Sequence, residues 1–141
     1  MRSIILLLTL VPLGRDAMLN DAGYLPGTIT EYPSLDRFRE DFVDRFPHSH
    51  SREEIYRDFL LFLDEFGKIC KPRRIWIDGS YVTGKENPND IDVVIFIDYS
   101  LLRNNWKQIK KLLVKLEGSN LDIFLLQRIM KMRKSCCCRM M

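Results

Sequence analysis

IWIDGSYVTGKENPNDIDVVIFI, residues 75–97, decides how the rest of the chain is read. Two short runs rich in β-branched and aromatic residues, 74–78 (RIWID) and 91–97 (IDVVIFI), enclose a turn region, 79–89, carrying two glycines and a proline. That pattern reads as two strands. The second is mostly apolar, as expected of a strand buried at the centre of a sheet. Asp90 and Asp92 lie two apart on it, so their side chains share a face. Adjacent carboxylates repel, and acids in a central strand need a compensating charge. An oxygen-seeking divalent cation, Mg²⁺ or Mn²⁺, supplies one.

A third apolar run, 121–126 (LDIFLL), carries Asp122. Paired beside the second strand, it completes a three-Asp cluster able to hold two metal ions about 3.5–4 Å apart. Gly79 and Ser80 open the turn. Glycine lets the backbone come close to a phosphate, successive N–H groups form an anion nest, and the serine hydroxyl adds a hydrogen bond. A helix starting near Tyr81 would aim its positive end at the same phosphates.

Working outward, residues 18–33 are rich in Gly, Pro, Asn and Asp and read as loop. Ser34 caps a helix to about Phe46, with Leu35, Phe38, Phe42 and Phe46 on one face. Pro47 ends it. Ser51 caps a longer helix, its stripe running through Ile55, Phe59, Phe62, Leu63 and Phe66, with Gly67 as the stop. Leu102, Trp106, Ile109, Leu113 and Leu116 mark a third helix, closed by Gly118. The order helix, helix, strand, turn, strand, helix, strand predicts an α+β fold. Its small mixed sheet has about three strands flanked by helices.

The chain has 141 residues, 46% hydrophobic and 29% charged, with a net charge of +3. This is one globular domain by length and composition, neither disordered, fibrous nor polytopic in a membrane. Charge is uneven. Residues 31–66 hold ten acids and five arginines, whereas 99–141 hold ten bases and only Glu117 and Asp122. Two solvated faces of opposite sign explain this; so does a basic part facing a polyanion. Cys70 follows an apolar run and reads as a buried thiol. Cys136, Cys137 and Cys138 are consecutive, fit neither a zinc site nor a disulfide framework, and point to a reducing compartment.

The ends divide from the core. Residues 1–17 begin with an apolar stretch too short for a membrane span. Three readings are open: a signal-peptide core without a clean cleavage pattern, an over-extended reading frame with its start at Met18, or a loose apolar extension. The last two are favoured over export, giving a cytoplasmic protein with no membrane span. Residues 127–141 form a basic Cys/Met-rich tail, expected to be disordered or a frayed helix end.

The signature 78–92 (DGSYVTGKENPNDID) resembles the nucleotidyltransferase superfamily with the DNA polymerase beta-like fold, in its minimal stand-alone prokaryotic form. The elements carrying the likeness are Gly79-Ser80, nine intervening residues, Asp90-x-Asp92 on a strand, and a later Asp122 on an apolar strand. In that group a loop like 23–27 (GYLPG) precedes the helices. The likeness covers about 51–126 as the minimal core, with 18–50 as an N-terminal loop and helix. It implies that Asp90 and Asp92 ligate both metals. Asp122 ligates the catalytic metal and helps deprotonate the acceptor. Gly79 and Ser80, with Lys85 as a further candidate, hold the phosphates. The implied reaction transfers a nucleoside monophosphate from a nucleoside triphosphate (NTP) to a hydroxyl on a protein or RNA acceptor. Minimal relatives occur in toxin–antitoxin and phage-defence pairs, which implies a cognate partner. A homodimer or partner subunit could supply the base-selecting surface that larger relatives carry. The alternative is a catalytically silent module of the same fold that neutralises a partner or senses a nucleotide. A metal nuclease or phosphatase fits the Gly79-Ser80 turn less well.

Other side chains have plainer readings. Asp98, at a strand end, is a rival third ligand or a solvated acid. Asp78 caps the turn. Lys107, Lys110 and Lys111 form a solvated helix face or reach a triphosphate. His48 and His50 have no ligand partner nearby. The Phe stripes are core, and Trp76 faces either side of the sheet.

Overall fold

The computed structural model describes residues 3–6 and 29–127 of the chain. Within them the elements run β1 (Ser3–Leu6), β2 (Ile29–Tyr32), α1 (Leu35–Arg39), a π-helical turn (Glu40–Asp44), α2 (Arg52–Ile69), β3 (Arg74–Asp78), a 3₁₀ turn (Ser80–Val82), β4 (Ile91–Ile97), α3 (Tyr99–Lys115) and β5 (Leu121–Gln127). The fold is α+β, with one mixed sheet in the order β2-β1-β3-β4-β5. β3 and β4 pair antiparallel, as do β1 and β3; β4 pairs parallel with β5, and β1 with β2. The three strands expected from sequence form β3–β4–β5, with β4 between the other two.

Burial alternates along β4. Ile91, Val93, Ile95 and Ile97 are buried, while Asp92, Val94 and Phe96 are partly exposed. The buried set joins Ile75 and Ile77 of β3, Phe59, Phe62 and Phe66 of α2, and Leu102, Ile109 and Leu112 of α3 in one core. Helices therefore cover one face of the sheet. Cys70 is a free, buried thiol at the end of α2.

Several local expectations are corrected. Ile29–Tyr32 is a strand inside the stretch read as loop; four residues between Gly27 and Pro33 are too few to show a period. The helix expected over 34–46 is α only to Arg39, then widens into a π turn. Three consecutive side chains of this turn, Asp41, Phe42 and Val43, are buried. Asp41 there accepts the Tyr32 hydroxyl at 2.9 Å and pairs with Arg37 and Arg45. Burial and the Asp41 carboxylate push the Tyr32 phenol up. Ser34 does cap α1, accepting the Arg37 N–H at 3.2 Å. At α2 the capping oxygen is Ser49 Oγ, which accepts the Arg52 N–H at 3.2 Å; Ser51 instead donates to the Pro88 carbonyl at 2.7 Å. Gly67 does not stop α2, which runs to Ile69 and ends on an extended Cys70. Trp106 sits on the solvent side of α3, 48% exposed. The loop 23–27, the tail 128–141 with its three cysteines, and residues 7–17 lie outside the described residues.

The element that positions the turn between β3 and β4 is Arg52, fully buried at the start of α2. Its guanidinium donates to the carbonyls of Phe42 and Tyr81 (both 2.8 Å, Nη1), Thr83 (2.8 Å) and Lys85 (2.6 Å, both Nη2), and again to Lys85 through Nε at 3.2 Å. These bonds use all five of its donors. It also stacks 3.7 Å from the centroid of Phe46. Burial lowers its pKa to about 10, so it stays charged at neutral pH. The Tyr81 hydroxyl returns a bond to the Arg52 carbonyl at 2.9 Å. Phe38 stacks on Tyr81 and packs edge-on to Tyr32, tying α1 to the same turn.

Arg52→Lys offers three donors in place of a planar five-donor fork and leaves buried carbonyls unpaired. Urea unfolding of this variant is expected to show a loss of about 3–4 kcal/mol, with the slope unchanged. Wild-type stability would refute the clamp.

Candidate active site

Two strand registers build the site. β3 and β4 place Asp78 opposite Asp92, and β4 and β5 place Asp92 opposite Asp122. Directly opposed residues project to the same face with Cβ atoms about 4.5–5.5 Å apart. Asp78, Asp92 and Asp122 therefore form a row across three strands, on the face that the helices leave uncovered. Asp90 stands half-buried just before β4. The Asp92 carboxyl is raised above the usual carboxylate range, first by burial, then by the charges of Asp90, Asp122 and Asp78. All four influences act in one direction. No ion pair to these four acids is formed among the described residues.

The backbone turns sharply beside this row. Gly79 has φ +81°, in the region that disfavours side chains, and a Cβ there would run into the Asp92 carboxylate. Asp78 accepts the Gly79 N–H through Oδ1 at 2.8 Å. The Ser80 carbonyl accepts the Thr83 hydroxyl at 2.7 Å, whereas the Ser80 hydroxyl has no partner among the described residues. The helix expected near Tyr81 is only the 3₁₀ turn Ser80–Val82, too short to present a helix dipole. With the Gly79 N–H engaged, the turn offers the Ser80 hydroxyl as its free side-chain donor.

A model of a family described as a family of unknown function, DUF6932, matches residues 18–141. The chain belongs to that family. No curated protein and no solved structure matches it.

The sequence candidates fall into two groups in this DUF6932 chain. Gly79, Ser80, Asp90, Asp92 and Asp122 lie at one end of the β3–β4–β5 sheet. Lys85 is exposed, and its side chain makes no ion pair among the described residues; its carbonyl accepts from Arg52. Asp98 sits at the opposite end of β4, before α3, paired with Arg73 at 2.8 Å. Two residues were undervalued in the sequence. Asp78 belongs to the row, and only the strand register reveals it. Arg52 carried a readable signal: it falls three, four and seven residues before Ile55, Tyr56 and Phe59, on the buried stripe of α2.

A divalent cation fits the donor set by chemistry. Four carboxylates, all oxygen donors, suit a hard ion. Among the described residues no group of three His, Cys, Asp or Glu side chains is gathered around a point that could hold a metal. Asp122 is exposed, and rotamers of exposed side chains exchange in picoseconds to nanoseconds.

Gly79→Ala introduces both a strained φ and the collision with Asp92. It is expected to lower stability by about 1–3 kcal/mol, read by thermal unfolding, and to weaken Mn²⁺ binding, read by calorimetry. Asp92→Asn tests the charge. A raised folded-state pKa means that the Asp92 contribution is favourable below the usual carboxylate range and is lost as pH rises through the raised value. At pH 7 without metal, Asp92→Asn should therefore melt higher than wild type, by roughly 1–4 °C. The gain should vanish near pH 3, where both forms are neutral. A lower Tm at pH 7 would show that the carboxylate is compensated after all.

Proposed function

We propose that this protein is a metal-dependent nucleotidyltransferase, moving a nucleoside monophosphate from an NTP to an acceptor hydroxyl on a protein or RNA. The observation that carries this reading is the registered row Asp78–Asp92–Asp122, with Asp90 beside it, abutting a positive-φ glycine turn. Asp90, Asp92 and Asp122 are the residues that would hold Mg²⁺ or Mn²⁺. When bound, the ion neutralises triphosphate charge and lowers the cost of ionising the acceptor.

The chain's own groups do the rest. The Ser80 hydroxyl donates to a phosphate oxygen. Asp78 holds the Gly79 N–H and so keeps the turn tight against Asp92. The acceptor oxygen attacks the α-phosphorus in line, the bond from that phosphorus to the bridging oxygen breaks, and pyrophosphate leaves with the electron pair. The hydroxyl proton passes to Asp122, the exposed carboxylate of the edge strand. Such a displacement depends on positioning and charge neutralisation rather than on a covalent enzyme intermediate. The reading extends to a cytoplasmic protein acting with a cognate partner, as in a toxin–antitoxin or phage-defence pair. No helix among the described residues is long and apolar enough to cross a membrane.

Incubation with Mg²⁺, each of the four α-labelled NTPs, and a cell extract as acceptor source should transfer label and release pyrophosphate. Asp92→Ala should cut the rate about 100-fold or more. Absence of transfer from all four triphosphates, with partner capture retained in Asp92→Ala, would instead establish the silent binding module.

A further inference from the structure

We infer that the outer edge of β5 receives an extended polypeptide segment as an added strand, and that this segment carries the acceptor hydroxyl; the acceptor role rests on the transfer reading above. β5 ends the sheet, and among the described residues it pairs with β4 alone. The Ile91 N–H donates to the Asn120 carbonyl at 3.0 Å, which sets the phase of the ladder. Backbone groups alternate sides along a strand. Asp122, Phe124 and Leu126 thus direct theirs toward β4, while Leu121, Ile123 and Leu125 direct theirs outward. That outer row is a template for another strand.

Register then fixes where a partner side chain falls. An added strand lies about 4.8 Å from β5, and its residue opposite Asp122 projects to the same face as the carboxylate row. A hydroxyl on that residue stands next to Asp122. Residues two and four positions away meet Phe124 and Leu126, which are 53% and 47% exposed. Beyond these, Trp76 and Phe96 pack with ring centroids 4.7 Å apart. Residues of the opposite parity project toward a cleft of about 420 Å³ between α3 and β5, lined by Lys110, Leu113, Val114, Leu121 and Ile123 among others.

Charge selects the class of partner. The end of the sheet beside β5 carries Asp78, Asp92 and Asp122 in register. In the metal-free protein an RNA backbone is repelled from that row, whereas a Lys or Arg beside the hydroxyl is attracted. The fitting acceptor is a peptide segment with alternate apolar residues and a Ser, Thr or Tyr next to a basic residue, rather than RNA.

The full-length protein, free of nucleotide and metal, is titrated with three fluorescein-labelled probes. One is a decapeptide with a central threonine flanked by lysines and with valines at alternate positions. The second has the same composition in scrambled order, and the third is a ten-nucleotide single-stranded RNA. Fluorescence anisotropy should show preferential binding of the ordered peptide. Ile123→Pro removes one outward N–H without breaking the β4 ladder, and Phe124→Ser removes the exposed ring; each should weaken binding about tenfold or more. Hydrogen exchange on wild type should slow at Leu121, Ile123 and Leu125 when the peptide is added, a readout that stands even if Ile123→Pro fails to fold. Tighter binding of RNA than of peptide, or no protection at those three amides, overturns the inference. Label transfer is followed separately with the same peptide and the four NTPs. Transfer to RNA without peptide binding overturns the edge assignment and leaves the transferase standing. Protection of β5 without transfer from any NTP supports the docking edge and counts against the transferase.

Discussion

A buried guanidinium whose hydrogen bonds among the described residues all go to main-chain carbonyls holds the molecule's chemistry in place. Arg52 sits at the start of α2, and every N–H it owns is given to a main-chain carbonyl. Three of the acceptors, Tyr81, Thr83 and Lys85, belong to the turn joining β3 to β4. This twelve-residue connection has almost no regular structure of its own. Such a segment pays for its order in conformational entropy and needs an anchor elsewhere. A buried carboxylate in place of the carbonyls would satisfy the charge but fix one point; the fork fixes several points at once. Tyr81 closes the arrangement by donating back to the Arg52 carbonyl, and the rings of Phe38 and Phe46 seal it from water.

Once the turn is fixed, the approach of Gly79 to Asp92 is fixed as well. This is where the structure works against its own stability. Four acids gather at one end of the sheet with no ion-paired base among the described residues, and Asp92 bears the cost as a raised pKa. Structural acids in this chain are treated differently. Asp41 is buried but faces Arg37, Arg45 and the Tyr32 hydroxyl, and Asp98 is paired with Arg73. The contrast separates carboxylates that stabilise the fold from carboxylates left for something outside it.

Much of this was legible because the strands are short and strongly patterned. The mostly apolar run 91–97 placed β4 at the centre, and the two-residue spacing placed Asp90 and Asp92 together. Asp122 was found from one acid in an apolar run. What escaped depended on tertiary pairing. Asp78 looks like an ordinary turn residue until the antiparallel register sets it opposite Asp92. Arg52 lies on the apolar stripe of its helix, but charge at a helix start reads by default as solvated. The π turn was invisible because Phe38, Phe42 and Phe46 keep a four-residue spacing that suits a plain helix. β2 was hidden by the glycine and prolines around it. Trp106 fitted the helical period, yet tertiary packing buried Leu112 instead.

Each acid of the row is delivered by a different strand, and the strands are not equally secure. β3 and β4 are flanked on both sides, whereas among the described residues β5 is gripped by a neighbour on one side only. Local opening in a protein begins at such margins, at a fraction of the free energy of global unfolding. Fraying of β5 would withdraw Asp122 while Asp78, Asp90 and Asp92 stayed in place. The cluster can thus be dismantled by one member without melting the domain, and whatever braces the margin also completes the cluster.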